Sequence, residues 1–275
     1  MTAQPPEVKK LDLVLRVAVF TVVGWLGMRL FAILMLPAGG RLVASALSVF
    51  AAGALANVLA ARLFAGGRPG DFGMAWQGSS GKELLTGCLF GAGAAVIVVG
   101  IPLLFGLAGF EPTREPIAHR WAGLVLVSAA LLFGAAGEEM LFHGYAFQLL
   151  TRGMGAFATI LPVGVIFGMA HLGNQYSNLG GIVNTVIWGV LLGYTTWRSG
   201  ALWLPIGMHF GWNVMLPLFG VNLSGFTIGL TGYTLHWSVG TLWSGGAYGP
   251  EGSLLTTVAA IGLFWAVGRV TKERE

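Results

Sequence analysis

An all-α, polytopic membrane helix bundle of about eight transmembrane helices is the fold this sequence predicts, and three observations predict it. Of 275 residues, 55% are hydrophobic and only 9% charged, whereas a soluble domain carries roughly 25% charged residues. Mean hydropathy is correspondingly high at +0.77. Glycine numbers 44; soluble helices avoid it, but membrane helices use small residues to bring backbones together.

A span needs about 20 apolar residues. The chain offers such runs at approximately Leu13–Leu36, Leu42–Phe64, Leu84–Leu107, Trp121–Leu150, Ala156–His171, Leu179–Trp197, Leu202–Gly220 and Leu254–Val270. The first follows Lys9 and Lys10, has full span length and lacks a small-residue cleavage site, so it reads as an uncleaved span and not a signal peptide. The third, sixth and seventh carry GxxxG stretches (Gly87–Gly91, Gly189–Gly193, Gly207–Gly211) that suit close packing. The fourth is long enough to tilt or protrude. The fifth is short and is continued by the polar turn Gly173–Asn178. Before the eighth lies a long segment, Val221–Ser253, rich in Gly, Trp and Tyr. Its aromatics suit the membrane interface, and it could cover a cavity. The loop Ala108–Arg120 carries Glu111, Arg114, Glu115 and His119; neither His119 nor His236 is given a role. The whole chain, 1–275, reads as one integral membrane domain with a motif-bearing core at about 121–220.

Positive charge sets the orientation. With the N-terminus inside, the inner segments hold Lys9, Lys10, Arg16, Arg62, Arg68, Lys82, Arg152, Arg198, Arg269, Lys272 and Arg274, and the outer ones hold Arg29, Arg41, Arg114 and Arg120, which is 11 against 4. Both termini are therefore expected in the cytoplasm. The pI near 9.5 does not point to nucleic acid, because the basic residues form no stripe. Cys88 is the single cysteine, which excludes an intrachain disulfide. Arg exceeds Lys by 11 to 4 in a Gly- and Ala-rich chain, as in GC-rich bacterial genomes; the expected location is a bacterial inner membrane. No sequence repeat supports an inverted-repeat transporter.

Ionisable groups inside a span are costly and default to a functional reading. Those of this chain are Glu138, Glu139 and His143 in the fourth span, His171 at the end of the fifth, and His209, with Asn213, in the seventh. At about 1.5 Å per residue they lie roughly 10–22 Å from the inner ends of their spans, compatible with one site. Glu138 and Glu139 point about 100° apart. His143 shares the face of Glu139 at i+4, which leaves Glu138 free to face another helix. His209 and Asn213, and likewise Phe167 and His171, are also i,i+4 pairs. A desolvated carboxylate can serve as a general base and a nearby His can share in activating water. A further His and an Asn amide suit an oxyanion. The set describes amide hydrolysis by water. There is no serine nucleophile elbow and no HExxH. His171, His209 and the glutamates could alternatively hold a divalent metal such as zinc with one position left for water. The bland readings are a structural charged pair at Glu138–Glu139 and interhelical glue at His209–Asn213.

Three stretches then stand in order: Glu138-Glu139-Met-Leu-Phe-His143, Phe167-Gly-Met-Ala-His171 and His209-Phe-Gly-Trp-Asn213. They resemble the EExxxR, FxxxH and HxxxN/D motifs of the CPBP family, the Abi-type family that includes CAAX prenyl endopeptidases and bacteriocin-processing proteins. The resemblance implies an intramembrane, metalloprotease-like hydrolase in which Glu138 activates water, aided by His171. His209 and Asn213 stabilise the oxyanion, Glu139 is the second, supportive glutamate, and His143 and Phe167 support the site. It also implies the lipid bilayer and a peptide or membrane-protein substrate as partners. The family's best-known target is a prenylated C-terminal tail; a bacterial source favours peptide maturation or membrane-protein turnover. One position departs: His143 replaces the family arginine, although Gly144 is kept. Arginine is always charged and histidine is not. The alternatives are an inactive member acting as a binding or immunity protein, and a small proton-coupled transporter.

Overall fold

In the computed structural model, residues 10–113 and 120–271 are described. Lys9, Arg114, Glu115, His119, Lys272 and Arg274 lie outside the described residues. The first two spans form one helical segment, α1 (Lys10–Ala65), which bends at Gly40 where φ is 70° and which contains Pro37. This backbone conformation favours glycine. The two halves are Lys10–Pro37 and Gly40–Ala65. Then come α2 (Ser80–Leu104), β1 (Ala108–Pro112), α3 (Arg120–His143), α4 (Tyr145–Met154), α5 (Ala156–Ala170), α6 (Leu179–Ser199), α7 (Trp203–Leu218), β2 (Tyr233–Trp237), α8 (Thr241–Ser244) and α9 (Leu254–Val270). Among the described residues, five stretches are long and apolar enough to cross a bilayer: the two halves of α1, α2, Ala122–Met154 and α6; α5 and α9 are shorter apolar helices. The molecule is an all-α polytopic bundle. Its outer faces carry exposed Leu15, Ile33, Leu89, Ile97, Val125, Phe157 and Trp265, as helices facing lipid do.

Glycines set the packing. A Cβ at Gly91 would stand 1.9 Å from the Met208 carbonyl oxygen, and one at Gly207 would stand 2.0 Å from that of Leu84. Gly87 and Gly211 are equally closed, against Leu204 and Cys88. The GxxxG faces of α2 and α7 thus interlock backbone to backbone. Gly164 and Gly168 of α5 meet α6 at Val190 and Val186 in the same way.

The long fourth span does not run straight. It breaks at Gly144 into α3 and α4, and the cause is Asn57 of α1, which is fully buried. Its amide donates to the Gly53 and Met140 carbonyls at 2.8 and 2.9 Å. Its oxygen accepts from the Tyr145 backbone N–H at 2.8 Å. Asn57 therefore satisfies the backbone groups that the break releases. A Cβ at Gly144 would stand 2.3 Å from Met140 O and 2.4 Å from Asn57 Oδ1, so glycine fits where a side chain would not.

The two ends of the bundle are stitched differently. At one end, β1 and β2 pair antiparallel, Phe110 opposite Leu235, and so join the α2–α3 connection to the 221–253 segment. Asn178 and Asn184 hold that segment to α6 through Gly245 O and the Glu251 and Ser253 carbonyls. At the other end, Trp203 Nε1 donates to Ala75 O and Gln148 Nε2 to Phe72 O, each at 2.8 Å. The 66–79 connection thereby meets α4 and the start of α7.

Candidate active site

The break at Gly144 sits directly after the three polar positions of α3. Glu139 and His143 lie on its inward face, each with 0% exposure. Glu139 Oε2 accepts from His143 Nδ1 at 2.7 Å, and Oε1 accepts from His209 Nδ1 of α7 at 2.9 Å. The i,i+4 pair is present, and its carboxylate also reaches across to the third motif. Both oxygens of Glu139 are thus occupied by imidazole N–H groups, which is how a buried carboxylate is tolerated. His143 Nε2 has no hydrogen-bond partner among the described residues. It packs beside Gly193, where a Cβ would come within 3.4 Å, and meets the Phe147 ring edge-on at 5.1 Å.

Glu138 turns the other way, as its helical phase requires. Its side chain is 29% exposed, and its Oε2 lies 3.8 Å from His171 Nε2 and 3.9 Å from His209 Nε2. These distances exceed a direct hydrogen bond. The same oxygen has no hydrogen-bond partner among the described residues. His171 stands at the C-terminus of α5, one residue past Ala170. Its Nδ1 lies 2.8 Å from Phe167 O. A carbonyl can only accept, so Nδ1 carries the hydrogen, and in the neutral ring Nε2 presents its lone pair towards Glu138. Phe167 is buried against Phe142 at 5.0 Å and braces both His171 and His209, with ring centroids 4.8 and 6.0 Å away. Asn213 is half-buried. It shares with Glu138, His171 and His209 the wall of one cavity of about 650 Å³.

Two further polar residues belong to this arrangement, and neither stands out in the sequence. Asn57 is a lone amide in an apolar span, and a search for intramembrane ionisable groups passes over it. Glu251 lies in the long loop, where a carboxylate is unremarkable by position, yet it lines the same cavity. Its Oε2 accepts from the Ser224 backbone N–H. Its Oε1 accepts from Ser224 Oγ at 3.2 Å and from Trp212 Nε1 at 3.4 Å. Burial pushes the Glu251 carboxyl above its ordinary range, against the opposing hydrogen bonds from Ser224. Among the described residues no group of three or more His, Cys, Asp or Glu side chains is arranged to hold a metal ion.

Chemically, the cavity brings together a carboxylate oxygen without a partner, an imidazole lone pair, a second imidazole tied to a buried carboxylate, and a primary amide. The family model described as Type II CAAX prenyl endopeptidase Rce1-like matches residues 119–215. That segment carries Glu138, Glu139, His143, His171, His209 and Asn213; Asn57 and Glu251 fall outside it. No curated protein matches the chain.

Proposed function

The match over residues 119–215 supports assigning the chain to the CPBP family of CAAX-type proteases, and from that premise we propose that it is an intramembrane endopeptidase acting by glutamate- and histidine-activated water. One observation carries the proposal. The unpartnered Oε2 of Glu138 faces the Nε2 atoms of His171 and His209 at 3.8 and 3.9 Å, inside a cavity within apolar helices. A gap of that length suits a water held between Glu138 and His171.

In the reaction, Glu138 takes a proton from this water, with the His171 Nε2 lone pair holding it in place. The water oxygen attacks the peptide carbonyl carbon. Negative charge gathers on the carbonyl oxygen, where the Asn213 amide and His209 Nε2–H donate to it. His209 Nδ1 already donates to Glu139, so donation from Nε2 requires the doubly protonated ring. The ionised carboxylate of Glu139 is the counter-charge which that form needs. Collapse of the intermediate breaks the C–N bond, and Glu138 returns its proton to the departing amine. Glu139 is on this reading a positioning residue that acts through His209, while His143 and Phe167 fix the rings.

The protein works as a single membrane unit with peptide or membrane-protein substrates. It resides in a bacterial inner membrane with both termini in the cytoplasm; the 11-to-4 charge asymmetry supports that orientation. The test is Glu138→Gln, which keeps shape and removes the base. Purified in detergent or nanodiscs, E138Q should retain wild-type thermal stability and lose cleavage of a peptide that the wild type cuts. Undiminished cleavage would end the assignment of Glu138 as base.

A further inference from the structure

Glu251 takes no part in the hydrolysis just described, yet among the described residues it is the carboxylate that joins Glu138 in the cavity wall. It is not a loose surface acid. Ser224 N–H, Ser224 O–H and Trp212 Nε1–H all donate to it, so its position and orientation are fixed before any ligand arrives. Ser224 itself has a φ of 50°, a backbone conformation rarely adopted by residues with a side chain, and the carboxylate receives its N–H there. The bond from Trp212 ties Glu251 to α7, the helix that carries His209 and Asn213. Among the described residues, none of those lining the cavity is Lys or Arg, and no Lys or Arg forms an ion pair with Glu251. The residues of that wall which can carry positive charge are the imidazoles of His171 and His209.

We propose that Glu251 is a specificity-determining subsite that receives a cationic group of the substrate, a Lys or Arg side chain near the scissile bond. The inference rests on the peptidase reading above. A carboxylate withdrawn from water carries a burial cost that a cation offsets, and burial pushes the Glu251 carboxyl up against the donors that hold it. Three fixed donors keep the carboxylate from reorganising when the cation arrives, which favours discrimination over mere attraction. A substrate carrying an apolar residue at the same place would bury the carboxylate without a counter-charge and bind more weakly. The competing account is a purely structural clasp between Ser224, Trp212 and the start of α9, and it predicts no preference among substrates.

Binding, not cleavage, separates the two. The full chain carrying Glu138→Gln is titrated with fluorescent, N-acetylated peptides in which lysine is moved through each position. Each peptide is paired with one bearing norleucine there, of nearly the same length and no charge. At one position or more, lysine should bind about tenfold more tightly than norleucine, with glutamate weaker than both. Adding Glu251→Gln, which keeps an oxygen to accept from Ser224, should erase the difference. A lysine-free peptide with a free amino terminus forms a second arm; tighter binding there alone would move the cation to the chain terminus and overturn the side-chain assignment. Equal binding of lysine and norleucine peptides, or a preference that survives E251Q, would overturn the subsite. Should E251Q fail to accumulate, the order lysine, norleucine, glutamate in the E138Q chain decides by itself. Absence of binding by every peptide is a different result; it would overturn the peptidase reading and the subsite together.

Discussion

His143 shows what one residue can substitute for. It occupies the position at which the family motif carries arginine, and its Nδ1 donates to Glu139 Oε2 at 2.7 Å. One N–H is therefore delivered where an arginine would deliver several. The surroundings accept little more, since the ring is fully buried between Phe147 and Gly193. Its Nε2 finds no partner among the described residues, so the donor that matters is Nδ1. Removing it leaves half of the buried Glu139 carboxylate unsatisfied. Orphaning a buried acceptor costs about 1–3 kcal/mol, more for a charged one. His143→Ala should lower thermal stability by at least that order. It should also reduce kcat more than KM, because Glu139 in turn holds His209. His143→Asn is the informative partner. Its amide nitrogen falls where the imidazole Nδ1 lies, so it should recover most of both losses. Melting curves and steady-state kinetics on the two variants check this. Equal damage from alanine and asparagine would mean that the ring is needed for its volume.

Among the helices, the pairing of α2 with α7 is the most exacting; that each has a close-packing face was legible in the sequence, because each carries one of the three GxxxG stretches. What the sequence left open was the partner of each face, since small residues mark close approach without naming the neighbour. The break at Gly144 was not legible at all. Apolar composition runs through it unchanged, and its cause, Asn57, lies 87 positions away from it in the chain. The polar motifs were readable because ionisable groups in apolar helices are rare. Glu251 was not, because its position in a loop removes that contrast. The strands β1 and β2 were likewise hidden, being five residues each and separated in the chain by α3 to α7. The α2–α7 contact gives a prediction with an internal control. Gly91→Ala would put a Cβ 1.9 Å from Met208 O, whereas Gly93→Ala meets nothing within 4 Å. The first substitution must push α2 off α7 beside His209, at about 1–3 kcal/mol as for overpacking, with activity falling in parallel. The second should leave melting temperature and activity within error of wild type. Loss of stability in both would point to glycine's backbone freedom and not to the contact.

At the scale of the whole molecule, the two ends of the bundle carry different kinds of connection. Pairing of Phe110 with Leu235 requires the α2–α3 and α7–α9 connections to emerge on one side. The bonds from Trp203 to Ala75 and from Gln148 to Phe72 bring the 66–79 segment, α4 and the start of α7 together on the other. The charge distribution agrees with this division, for Arg62, Arg68, Lys82, Arg152 and Arg198 all belong to the second group of connections. Positive residues are retained in the cytoplasm, so the sheet-bearing end is expected outside, and Glu251 with it. The single cysteine makes the expectation measurable, because Cys88→Ser gives a background without thiols. Gly229 and Gly78 are exposed positions at opposite ends with open space around a Cβ. In intact cells, a membrane-impermeant maleimide should label Gly229→Cys and leave Gly78→Cys unlabelled until the membrane is opened. The reverse pattern would invert the topology and place substrate entry past Glu251 on the cytoplasmic side. Labelling of both in intact cells would mean that the two connections do not lie on opposite faces, and the division drawn from the hydrogen bonds would fall.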